Sequence, residues 1–223
     1  MQYRFSLLPS AAAAVRTAIS PERLAKYEAA AKGDRNLTLQ LYHWNCELCG
    51  AFYAPLNLAE VSARNAIVAP VERRFGPNWH FDHRFLNILD AQKRQDLEEA
   101  IRRERRQHGP RLTAHHVTSA LTFGFWVGLT ARSYDRHLWA TGIRRSFPHA
   151  DNQYDRDGIH TLLDRIRRTR NDVMHMRSIF DKAPRLQLSA IDELLGLICL
   201  DTQFFLRQTH TLEEVIGRKP GRG

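Results

Sequence analysis

The stretch Asp155-Arg156-Asp157-Gly158-Ile159-His160-Thr161-Leu162-Leu163-Asp164-Arg165-Ile166-Arg167-Arg168-Thr169-Arg170-Asn171-Asp172-Val173-Met174-His175-Met176 decides the fold class. Ile159, Leu162, Leu163, Ile166 and Val173 recur at helical spacing, and at about 100° per residue they share one face. Arg170 falls inside that stripe, about 40° around from Ile166 and one turn before Val173, where an amphipathic helix would carry another leucine. A guanidinium there is unfavourable unless it is paired or faces a wet cleft. Asn171 and His175 stand at i and i+4, one above the other on a neighbouring face. In a regular helix His175 lies about 140° from Arg170. The two can line one cleft only if the helix wedges between two others, frays near His175, or meets its own copy across a two-fold axis. The plainer alternative is a helix end at which His175 caps carbonyls and Arg170 pairs with an acid such as Glu60 or Asp172.

Outward from this segment, almost everything reads as helix. Ser20 can cap a segment opened by Pro21 and Glu22 and closed by Gly33. Asn36 to Tyr53 carries Leu37, Leu41, Trp44, Leu48 and Phe52 at spacings of three and four. Pro55 is expected to interrupt or kink the path, and Leu56 to Phe75 then forms a third helix, halted at Gly76-Pro77. Asp82 to Gln107 reads as one long charged helix. Thr113 can cap a helix from Ala114 to Leu129, the most apolar part of the chain and therefore central. Leu188 to Thr209 reads as a last helix, and the basic, glycine-rich tail is expected to be disordered. No strand period persists and no internal repeat is visible, so the expected architecture is all-α, a helical bundle.

The 223 residues include 43% apolar residues, enough for a sizeable core in one domain. The net charge is +9, and of 33 basic residues 28 are Arg and 5 are Lys. Arginine forks match phosphate oxygens bidentately, which points to RNA or DNA; an arginine-biased genome and an ordinary solvated surface is the alternative. The apolar stretches fall far short of the roughly 20 residues that span a bilayer, so no membrane segment is expected. Three cysteines without a secretory signal fit a reducing cytoplasm.

Several constellations bear on chemistry. Cys46 and Cys49 form a C-x-x-C with no second pair, and their apolar flanks favour small core residues over a metal or redox site. Glu60 and Arg64 stand at i and i+4, followed by Asn65; the apolar neighbours Leu58, Val61, Ala63, Ala66 and Ile67 argue for a buried polar network rather than a surface pair. His115 and His116 are adjacent and face different directions, which disfavours a shared ion. Arg102, Arg103, Arg105 and Arg106 are either a solvated face or a phosphate-contacting patch. From Ala131 to Asp157, arginines including Arg144 and Arg145 interleave with Tyr134, Trp139, Phe147 and Tyr154, which suits either a nucleic-acid surface or a partly buried connector. Neither a nucleophile elbow nor a glycine-rich phosphate loop is present, disfavouring nucleotide-dependent enzymes of those kinds. No metal or cofactor is expected.

Three stretches together resemble the abortive-infection (Abi-like) family within the HEPN superfamily of helical ribonucleases: Leu58-Ala59-Glu60-Val61-Ser62-Ala63-Arg64-Asn65-Ala66-Ile67, Leu121-Thr122-Phe123-Gly124-Phe125-Trp126, and Arg170-Asn171-Asp172-Val173-Met174-His175. The resemblance covers roughly residues 36–209. It implies a HEPN-type bundle over 36–212, with a helical extension over 1–35 and a disordered basic tail over 213–223. The R-N-x-x-x-H form then implies that Arg170 and His175 are catalytic and that Asn171 positions them, with Glu60, Arg64 and Asn65 in support. Contacts to RNA are expected from Arg102, Arg103, Arg105, Arg106, Arg144, Arg145, Arg167, Arg168 and Arg177. The implied activity is metal-independent RNA cleavage in a phage-defence toxin, by a homodimer whose cleft lies between two copies of the motif, with a small RNA or a protein as antitoxin. The alternative is a non-cleaving RNA-binding or regulatory HEPN protein. One departure is visible: the family often carries a further His or Glu-Pro after the motif histidine, where this chain has Met176-Arg177.

Overall fold

Helix α3, Arg35–Phe75, is the axis on which the computed structural model of the chain is assembled. The structure describes residues 5–151 and 154–221, and among these there is no strand. Asp34 starts α3 by accepting a hydrogen bond from the Leu37 amide at 2.9 Å, and Gly76, at φ 86°, ends it. Two expected helices and the proline between them are thus one 41-residue helix. Pro55 and Pro70 each remove one backbone hydrogen bond, a local penalty of about 3 kcal/mol in an isolated helix. Both rings are buried, and the surrounding core, including Phe52, Leu56, Ala59, Ala63 and Ile67, supplies the packing that holds the helix together through them.

The other helices pack around α3. Helices α1 (Pro9–Ile19) and α2 (Pro21–Ala31) precede α3, and Tyr27 of α2 stacks on Phe180 with ring centroids 5.0 Å apart. Ser20 caps α2 as expected. The single charged helix expected from Asp82 to Gln107 is instead α4 (His83–Leu86) and α5 (Ala91–His108). Asp90 causes the break: its side chain accepts from the Lys93 amide at 2.8 Å and from the Tyr134 hydroxyl at 2.7 Å, starting a new helix. Thr113 does open α6 (Ala114–Ala120), in a capping box completed by His116. Thr122 then accepts from the Phe125 amide and restarts the chain as α7 (Phe123–Gly128), so the expected helix to Leu129 is two short ones.

The basic and aromatic stretch after Ala131 is partly buried, with its arginines Arg132, Arg136, Arg144 and Arg145 exposed. Tyr134, Trp139 and Phe147 are in the core, Trp139 stacked on Phe147, so those rings present no stacking platform to a nucleic acid. Helix α8 (Arg156–Met174) follows, started by Asp155, and Ile159, Leu162, Leu163, Ile166 and Val173 are all buried, as their periodicity requires. Helices α9 (Pro184–Ile198) and α10 (Leu200–Thr209) replace the expected last helix, with extended Cys199 between them. Part of the tail expected to be disordered is ordered: α11 (Leu212–Gly217) buries Leu212, Val215 and Ile216, and the Trp44 indole donates to the Val215 carbonyl at 2.7 Å. Three apolar anchors and a hydrogen bond order this short helix; residues 222–223 lie outside the described range. No helix among the described residues is long and apolar enough to cross a membrane.

Candidate functional site at the end of helix α8

Helices α3 and α8 pack against each other, and the contact joins two of the polar segments singled out above. The Arg170 Nε donates to Glu60 Oε2 at 2.9 Å. The pair is half-buried, with about a third of the Arg170 side chain exposed. Glu60 thus pairs with Arg170, as one of the two acids that the helix-end alternative offers it, and makes no ion pair with Arg64 among the described residues. The reason is reach: a carboxylate facing another helix meets a guanidinium placed inside that helix's apolar stripe, where pairing matters most. Glu60 engages the Nε donor, leaving the Nη fork for another anion. The Arg64 Nε is buried with no hydrogen-bond partner among the described residues, and Asn65 is exposed.

Helix α8 ends at His175, as the helix-end alternative anticipates. The Met176 amide donates to the Val173 carbonyl at 3.0 Å and the Arg177 amide to the Asp172 carbonyl at 2.8 Å. With Met176 at φ 49°, this is a Schellman turn built on a residue other than glycine. Left-handed backbone costs an L-residue about 1–2 kcal/mol, so the surroundings must hold it. They do so from three sides. The Arg23 guanidinium of α2 donates to the Met176 carbonyl at 2.6 Å. Asp172 accepts from Lys182 at 2.6 Å and from Arg177 at 3.2 Å. Burial pushes the Asp172 carboxyl up, but the hydrogen bonds and charges of Lys182 and Arg177 outweigh it and hold the pKa below its ordinary value.

The third support is Asn45, 1% exposed within α3. Its Nδ2 donates to the Arg177 carbonyl at 3.1 Å, and its Oδ1 accepts from the amides of Ile179 and Phe180 at 2.8 and 3.1 Å. One buried amide thus satisfies three backbone groups of the loop that follows the histidine. Sequence reasoning missed Asn45. Its signal was the same as that of Arg170, a polar residue inside an apolar run, here next to Trp44. The imidazole of His175 is exposed, with Asn171 one turn behind it and half-buried. The site is thus an exposed imidazole on a braced helix end, and an arginine about one turn back whose fork is open.

The expected RNA-contacting arginines divide. Arg167 and Arg168 both pair with Asp164 at 2.7 Å, and Arg177 is held by Asp172. Arg105 lies over the Phe81 ring at 5.5 Å. Arg103 donates to the Ala120 carbonyl at 2.8 Å and meets Glu104, while Arg102 only approaches Glu98, at 3.9 Å. Arg106, Arg144 and Arg145 have no ion-pair partner among the described residues and are exposed. Of the two C-x-x-C cysteines, Cys49 is in the core, where burial pushes its thiol up to about 11; Cys46 is exposed, because i and i+3 straddle the helix edge here. His115 and His116 tilt apart, and the ring stacked on His116 is that of His108, at 3.8 Å. The chain matches no family model, no curated protein and no solved structure.

Proposed function

We propose that the chain is a metal-independent endoribonuclease of the HEPN kind, the toxin of an abortive-infection system directed against phage. The observation that supports this reading is the Glu60–Arg170 contact, which draws together two of the three stretches that carry the resemblance, 110 positions apart in sequence. In the proposed reaction a 2′-hydroxyl of the RNA attacks the adjacent phosphate, leaving a 2′,3′-cyclic phosphate and a 5′-hydroxyl. His175 moves the proton between the attacking 2′-hydroxyl and the leaving 5′-oxygen. Arg170, its Nε committed to Glu60, turns its remaining donors to the charge that builds on the phosphorane-like transition state. Asn171 orients His175 or a phosphate oxygen. In a regular helix Arg170 and His175 would project about 140° apart, and in the proposed site the two come together from different copies of a homodimer.

A second reading, an RNA-binding or regulatory protein that does not cut, takes its support from the same ion pair, since an arginine neutralised by a carboxylate also suits a structural role. Purifying the chain and its His175→Ala variant, measuring their mass in solution and sequencing the RNA that accompanies each separates the two. The enzyme is expected to be a dimer carrying RNA with cyclic-phosphate ends at recurring sequences, and the variant to carry uncut RNA. Identical ends from both proteins would sink the catalytic reading.

A further inference from the structure

The arginines of α5 do not act as one patch. Arg102, Arg103 and Arg106 fall within about 100° of one another on the helix, while Arg105 points elsewhere, over Phe81. The first three line a cleft of about 430 Å³ between α5 and the break that separates α6 from α7, with Asp96 and Glu99 beside them on α5 and Thr122 on the other wall. Arg103 is part of the wall, tied to the Ala120 carbonyl. Asp96 and Glu99 are engaged by Gln92 and Gln95, each at 2.9 Å. Arg102 and Arg106 stand at i and i+4, like charges that repel unless an anion sits between them.

The cleft's edge at Thr122 neighbours Arg167 of α8 across Gly124. Gly124 has no side chain, and the position its Cβ would take is 3.6 Å from both Thr122 Oγ1, at the cleft's edge, and Arg167 Cδ, on α8. Arg167 lies three residues before Arg170, on the same side of that helix. A strand that leaves Arg170 along Arg167 therefore meets the cleft at its Thr122 edge.

We propose that this cleft is a phosphate-binding subsite for the flanking backbone of a single RNA strand whose reacting phosphate lies at Arg170. The inference deepens the reading given under "Proposed function" and rests on it for the position of the reacting phosphate. A cleft of this size has room for a ribose phosphate. Arg102 and Arg106 grip the phosphate, Arg103 fixes the wall, and Asp96 and Glu99 set the limit on how much negative charge enters.

The test uses the full chain carrying His175→Ala, so that RNA survives, with and without Arg102→Ala/Arg106→Ala. Affinity for a single-stranded 12-nucleotide RNA and for a tetranucleotide is measured across salt concentration. The double substitution is expected to weaken the 12-mer about tenfold and to flatten its log–log salt slope by about 1.4, the value for two phosphate contacts on a single strand, while leaving the tetranucleotide unchanged. Unchanged 12-mer binding and slope overturn the subsite, and so does an equal loss on both lengths. If the expected pattern appears but the unsubstituted protein cuts no RNA, the strand path stands and the ribonuclease reading falls. If the protein cuts RNA and the double variant binds as before, the subsite alone falls.

Discussion

Arg170 on α8 donates its Nε to Glu60 on α3 across 2.9 Å, and this one bond holds a guanidinium inside an otherwise apolar stripe. Water still reaches both groups, so a double-mutant cycle of Glu60→Ala and Arg170→Ala, read by chemical denaturation, is expected to give a coupling of about 1 kcal/mol. Glu60→Ala alone is expected to be worse for the fold than the double variant's remainder implies, because it leaves Arg170 unpaired. Additive effects would mean that the two side chains do not meet.

Asn45→Ala should be among the most damaging single changes outside the apolar core. It strands the Ile179 and Phe180 amides and the Arg177 carbonyl, and the expected loss is about 3 kcal/mol. The loop should loosen before the rest of the fold does. Amide exchange at 177–180 is expected to accelerate in the variant while α5 keeps its protection, and uniform acceleration throughout the chain would contradict the bracing role.

Met176 sits at φ 49° where glycine is the residue most helices use. Met176→Gly is expected to raise stability by about 1 kcal/mol, less the added freedom of the unfolded chain, which for a chain of this size is a thermal midpoint a few degrees higher. A drop in the midpoint would show that the methionine side chain contributes packing that its 53% exposure does not suggest.

The Asp172 carboxyl has a folded pKa held below its ordinary value of 3.8. A depressed pKa means that the folded state favours the ionised form, so the contribution is complete above 3.8 and disappears as pH falls through the lower folded value. The stability gap between the protein and Asp172→Asn should therefore stay level from neutral pH to about pH 5 and close under stronger acid. A gap that widens on acidification would reverse the sign and remove Lys182 and Arg177 as the cause.

The apolar stripe of α8, the Ser20 and Thr113 caps and the all-helical class were legible because each depends on local periodicity or on one side chain next to its own helix start. Pro55 misled because its local cost is visible in sequence while the packing that offsets it comes from residues far along the chain. Asp90 and Thr122 misled in the opposite direction: short polar residues inside a helical pattern became new helix starts once Tyr134 and a neighbouring turn gave them partners. At the site, Arg170 announced itself as a polar residue in an apolar stripe, and Glu60 could be named as one of its acids. That Glu60 chooses Arg170 over Arg64, and that Asn45 braces the loop after His175, are facts about helix packing. Neither has a signature within one segment.

Attack by a 2′-hydroxyl leaves a chemical mark on the ends of the cut RNA. A single-stranded RNA incubated in chelator with the purified protein is expected to yield 2′,3′-cyclic phosphate and 5′-hydroxyl ends, and His175→Ala, folded as judged by its denaturation curve, should cut at least about 100-fold more slowly. RNA left intact by the unsubstituted protein, or cut at the same rate by His175→Ala, would mean that the chain is no ribonuclease acting through His175.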